Sequence, residues 1–118
     1  MHEPRKPWSP QSRRDLREVL AQPSHERAVQ LAASRNALVR ATLAASRETP
    51  IGVLIHLSTD EHASVRAAVA GNPAVATSVT TVRRLATDPS RPVRDALMMN
   101  ASVPGSLVRP ARVPVPVA

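Results

Sequence analysis

Apolar positions along this chain recur with a long period. Leu57, Val65 and Val69 are repeated 28 residues later as Leu85, Val93 and Leu97. A step of 26 backwards from the first set finds Leu31, Val39 and Leu43. A fainter copy, Leu16-Arg17-Glu18-Val19-Leu20, lies 23 before Val39-Arg40-Ala41-Thr42-Leu43. Within each copy the apolar residues stand four apart at the end of the unit, the spacing of one buried helix face. Each unit is therefore predicted to be two short helices. The first spans roughly 25–33, 50–58 and 78–87 in successive units. The second begins at the Val-Arg pair and stops at Asn72-Pro73 or near Asn100. Asparagine tolerates the left-handed cap conformation and proline cannot continue a helix. Thr49 before Pro50 predicts an N-cap followed by proline at the first helical position, and Thr77 or Ser78 predicts the equivalent cap one unit later.

Helices this short bury too little apolar surface alone and need stacked neighbours. The fold expected is all-α, a short right-handed α-solenoid of about four helix-pair repeats occupying residues 13–100. Residues 1–12 hold three prolines and no apolar period, and read as a flexible basic arm. Residues 101–118 read as a partial repeat running into a Pro-rich tail, because Val103-Pro104-Gly105-Ser106-Leu107-Val108 sits 28 after Val75-Ala76-Thr77-Ser78-Val79-Thr80 and then gives way to Val-Pro alternation. The last full repeat thus lacks a complete follower. Either residues 103–109 fold back over Met98 and Met99, or these methionines make an end-to-end contact with another copy.

The polar residues repeat with the apolar ones. Leu57…Asp60…Val65-Arg66…Asn72-Pro73 and Leu85…Asp88…Val93-Arg94…Asn100 share an Asp-to-Arg spacing of six with valine just before the arginine. In these residues, over about 13–108, the chain resembles the HEAT-like and leucine-rich-repeat-variant α-solenoids. The resemblance implies a structural Asp–Arg ladder between neighbouring repeats, carried here by Asp60, Arg66, Asp88 and Arg94. Arg40 has Ser34 where the Asp would be, and Arg17 has no acid counterpart. Those two arginines are expected to be available for binding.

Composition narrows the function. The chain has one aromatic residue, Trp8, and no cysteine, so its core is built from Ala, Val, Leu and Ile and its own thiolates can hold neither zinc nor iron–sulfur clusters. No run of residues is long and apolar enough for a membrane span or a secretory leader, and a soluble, cytoplasmic protein is expected. The net charge is +7, from fifteen Arg and one Lys against nine acids. Residues 13–100 hold 12 Arg against 8 acids, leaving +4; the termini supply the remaining +3 through Arg5, Lys6, Arg109 and Arg112 against Glu3. Biased residue usage accounts for such a balance as well as an acidic or nucleic-acid partner does.

Catalysis finds little footing. His56 and His62 are six apart, not the i, i+4 spacing of a helical metal pair, and no third ligand stands out. The serines recur at turns, where capping explains them, and the three glycines form no phosphate-binding loop. No enzyme activity and no cofactor is expected. One HEAT-like family excises damaged bases with aromatic side chains beside a carboxylate; the repeats here contain no aromatic residue. The reading is a protein-interaction scaffold, with sequence-independent binding of duplex nucleic acid as the alternative. Candidate partner or phosphate contacts are Arg13, Arg14, Arg17, Arg40, Arg83 and Arg84, with Arg5 and Lys6 in the arm. Trp8 is either a linear anchor for a partner or packs on the first helix. Clustering of the unpaired arginines on one face favours nucleic acid; scatter favours a scaffold.

Overall fold

A computed structural model describes residues 9–108, and every described element is helical. The helices are α1 (Pro10–Leu20), α2 (His25–Leu31), α3 (Ala37–Ala45), α4 (Ile51–Leu57), α5 (Ala63–Gly71), α6 (Val79–Ala86), α7 (Arg91–Met98) and the single turn α8 (Gly105–Val108), with a 3₁₀ segment at Pro73–Thr77. Helix α1 starts inside the stretch expected to be an arm. Ser9 caps it by accepting the Ser12 N–H at 3.1 Å, and Pro10 provides a preset first turn. Serine and asparagine cap the next two helices: Ser24 accepts from Arg27 N–H, and Asn36 from Leu38 N–H.

Helices α1, α3, α5 and α7 pack against one another in succession. Helices α2, α4 and α6 pack against members of this series, α2 on α1 and α3, α4 on α3 and α5, α6 on α5 and α7, with α8 packed on α6 and α7. Val39, Leu43, Leu54, Leu57, Val65, Val69, Val82, Leu85, Val93 and Leu97 are fully buried in one hydrophobic core among these helices. These are largely the residues of the recurring apolar pattern. A core made only of aliphatic side chains is thin, and small residues such as Ala44 and Ala70, also fully buried, let successive helices approach closely.

Three capping expectations are corrected. Asn72 ends α5 with φ −79° and ψ 124°, an extended conformation and not a left-handed one. Thr49 does not cap α4; it is buried and its Oγ1 donates to the Leu43 carbonyl at 2.6 Å, tying the turn to the end of α3. Ser78 precedes α6, but its hydroxyl bonds Thr81 Oγ1 and not a backbone N–H. Only one described non-glycine residue has positive φ, Gln22 at 60°, in the turn from α1 to α2.

The unequal sequence offsets have a structural counterpart. In the longer connection, Pro73–Thr77 winds into the 3₁₀ segment, buries Val75 completely and packs on both α4 and α6. The connection from α3 to α4 is two residues shorter. Thr49 lies at the depth of Val75, but no 3₁₀ segment follows to fill the space between α2 and α4. A surface cleft remains there.

Candidate functional site

That cleft has a volume of about 400 Å³ and is walled by His25, Val29, Ala32 and Ala33 from α2 and its end, and by Pro50, Gly52, Val53 and His56 from α4 and its start. Its lining is aliphatic apart from two imidazoles, and no described Arg or carboxylate lines it. Val29 stands 61% exposed beside it, a large apolar side chain left in water. Gly52 contributes openness: a Cβ there would meet nothing within 4 Å. His25 and His56, remote in sequence, share this cleft, whereas His62 does not join His56. His62 Nδ1 instead lies 3.1 Å from Arg40 Nη2, beside Asp60. Among the described residues no group of three His, Cys, Asp or Glu is arranged to hold a metal ion.

The arginine and aspartate positions define a second surface. Arg40 is not available for binding, as its missing Asp had implied. Its Nε donates to Asp60 Oδ2 at 2.7 Å, its Nη2 to Oδ1 at 3.3 Å and its Nη1 to the Ser34 carbonyl at 2.6 Å. Arg66 repeats the arrangement one unit on: Nε and Nη2 to Asp88 at 2.9 and 3.3 Å, and Nη1 to the Asp60 carbonyl at 2.7 Å. Each arginine thus reaches forward to the next unit's acid and back to the carbonyl six residues earlier. The Arg40–Asp60 side chains are both 9% exposed, where a two-pronged Arg–carboxylate contact is favoured by geometry and weakly screened. Burial pushes the Asp60 carboxyl up, but hydrogen bonds from Arg40 and the His62 N–H, with the Arg40 and His62 charges, outweigh it and hold Asp60 below its ordinary range. Asp60 and Asp88 each accept the N–H two residues on, at 2.9 Å, which fixes the carboxylate just ahead of α5 and α7.

Asparagine makes a parallel set of links. Asn72 Nδ2 donates to the Ala44 and Ser46 carbonyls at 2.8 and 2.9 Å; Asn100 Nδ2 donates to the Ala70 and Asn72 carbonyls, both at 2.9 Å. Carbonyls left over at the ends of α3 and α5 are thereby satisfied by the asparagine of the following unit. Every deeply buried side-chain nitrogen or oxygen among the described residues has a partner.

The remaining candidate residues are dispersed. Arg13, Arg14 and Arg17 project from α1, with Arg14 bonded to Gln11. Arg83 and Arg84 lie exposed on α6, where Arg84 Nη1 donates to Ser58 Oγ at 3.3 Å. Helix α1 packs on α2 and α3, and α6 on α5, α7, α8 and the 3₁₀ segment, so the two clusters sit on helices with no shared packing neighbour among these contacts. Arg94 donates only to the Asp88 carbonyl, at 2.5 Å, among the described residues. Met98 and Met99 are 64% and 85% exposed, and α8 does not cover them. Arg5, Lys6 and Trp8 lie outside the described residues. No described helix is long and apolar enough to cross a membrane. Compared with family models, with curated proteins and with solved structures, the chain matches none.

Proposed function

We propose that this chain is a non-catalytic protein-interaction module of the α-solenoid type, a right-handed stack of helix pairs akin to the HEAT-like and leucine-rich-repeat-variant proteins. Its primary contact is the cleft between α2 and α4, which takes an apolar side chain from a partner protein. The observation that carries this reading is the cleft itself: about 400 Å³, aliphatic, open to solvent and rimmed by the exposed Val29. Clefts of this kind, apolar with a few polar groups at the rim, are where protein surfaces anchor side chains. The two histidines supply hydrogen-bonding groups that set the orientation of what enters. A cytoplasmic location goes with this reading.

Binding of duplex nucleic acid ranks second. Arg40 and Arg66 are committed to Asp60 and Asp88, and α1 and α6, which carry the other candidate arginines, pack on different neighbours. A phosphate backbone needs a continuous track of unpaired cations. Selection of a displayed peptide library against the whole protein and its Val29→Asp variant tests the proposal. Peptides carrying an apolar anchor should be enriched on the wild type and lose about tenfold or more in affinity on the variant. Peptides that bind both equally, or no enrichment at all, would sink it.

A further inference from the structure

Each internal unit presents the same chemistry to its follower. The arginine of the second helix holds the carbonyl six residues back with Nη1 and offers Nε and Nη2 to a carboxylate. The helix end offers two carbonyls to an asparagine amide. At α7 the arginine is in the same pose. Arg94 Nη1 holds the Asp88 carbonyl at 2.5 Å, and no described residue accepts from its Nε or Nη2. By the offset of 28, the carbonyls of Met98 and Asn100 stand where Ala70 and Asn72 stand one unit earlier, and no described side-chain amide reaches them. Met98 itself replaces Ala70, which is fully buried under α7, and lies exposed one helical turn from Arg94.

We infer that this end of the stack, at Arg94, docks a helix of a partner protein that carries an aspartate just ahead of its first turn; the inference rests on the protein-binding reading but uses a different surface. The chemistry of the occupant is read from the two internal pairs. Both acids are Asp, both sit three residues ahead of a helix, and both are fixed by the N–H two residues on. Residues 96–118 contain no Asp or Glu. A second copy stacked head to tail would bring α1 to Arg94; there Arg13, Arg14 and Arg17 outnumber Asp15 and Glu18, and Gln11 stands six residues before Arg17 where the Asp would be. Helix α8 already packs on α6, where the first helix of a following unit would begin, so the partner contributes a single helix over α7. Met98 is larger than Ala70 and adaptable, so that helix must turn a small-residue face toward it.

The test follows arginine Nε–H exchange with water by NMR in the whole protein, with Arg40 and Arg66 as internal references. In the protein alone, Arg94 should exchange about tenfold or more faster than either reference, because a two-pronged carboxylate contact protects both of those. The probe is a synthetic peptide of residues 86–100, which carries Asp88 ahead of a free copy of α7, and its Asp88→Asn version. The Asp peptide should slow Arg94 alone and bind about tenfold or more tightly than the Asn peptide. Arg94→Lys should weaken binding, since lysine lacks the planar fork, and Val29→Asp should leave it unchanged. Three results would overturn the inference: Arg94 already protected in dilute protein, protection that grows with protein concentration alone, or equal response to both peptides. The first would mean that the chain fills its own site, and the second that another copy does. A Val29→Asp protein that still binds the Asp peptide would separate failure of the cleft from failure of this end.

Discussion

Replacing Asn72 probes how the units are joined. Its side chain is 1% exposed and makes three hydrogen bonds: two donated across to Ala44 and Ser46, and one accepted from the Ala74 N–H at 3.0 Å. Asn72→Ala removes all three and leaves carbonyls that the fold shields from water. Each lost bond, with the group it leaves unpaired, is worth about 1 kcal/mol, so the expected loss over three bonds is roughly 3 kcal/mol. Total stability for a domain of this size is on the order of 5–15 kcal/mol, so the change consumes a large share of it. Urea unfolding followed by helical circular dichroism should show the midpoint lowered by roughly 2 M at a slope of about 1–1.5 kcal/mol/M. Asn36→Ala, which deletes a half-exposed N-cap bond to Leu38, should cost only about 1 kcal/mol. The decisive variant is Asn72→Asp. It keeps the acceptor for Ala74 but turns carboxylate oxygens toward two carbonyl oxygens, so it should be no more stable than Asn72→Ala. Wild-type stability for Asn72→Asp would refute the idea that donation between units is what this residue does. A stabilised Asn72→Gly would reinstate a left-handed cap.

Three other changes have definite signs. Gln22 holds φ at 60°, a region that side chains disfavour, so Gln22→Gly should raise the unfolding free energy by about 0.5–1 kcal/mol in the same urea assay. Gly52 is helical with open space at its Cβ position, so Gly52→Ala should stabilise by about 0.5–1 kcal/mol while narrowing the cleft and weakening capture of an apolar anchor. Because Asp60 is held below its ordinary value of 3.8, its pairing contributes fully above that pH and is lost as pH falls through the lowered folded value. Urea midpoints of wild type and Asp60→Asn should therefore differ most at about pH 6 and converge as the solution is acidified. A constant gap would contradict the assignment.

The all-α architecture was legible because one buried face per helix imposes a period that survives in Leu57 and Leu85, Val65 and Val93, and Val69 and Leu97. The polar links were legible only in part. Arg40 looked unpaired because its Asp was sought six residues before it, whereas the acid it grips lies in the next unit, 20 residues ahead at Asp60. The same forward pairing of Arg66 with Asp88 leaves Arg94 without an acid among the described residues, as the lack of Asp or Glu in residues 96–118 shows once the direction is known. Thr49 looked like a cap because threonine before proline usually is one; burial of its hydroxyl against Leu43 overrode that local preference. The cleft had a signal, the offset of 26 in place of 28. Two missing residues mean a missing 3₁₀ segment, but only packing reveals that α2 and α4 do not close over the gap. His25 and His56 meet there through tertiary structure alone, and no spacing rule would pair them.

The proposed function requires a protein partner to enter the cleft between α2 and α4. It is tested most directly by titrating ¹⁵N-labelled protein with a peptide selected from the library and mapping amide shifts. The expected result is one contiguous set of shifted amides around His25, Val29, Gly52, Val53 and His56, absent in Val29→Asp. Shifts centred on Arg13, Arg14 and Arg17 or on Arg83 and Arg84, with the cleft unmoved, would contradict the claim and turn attention to the charged surfaces.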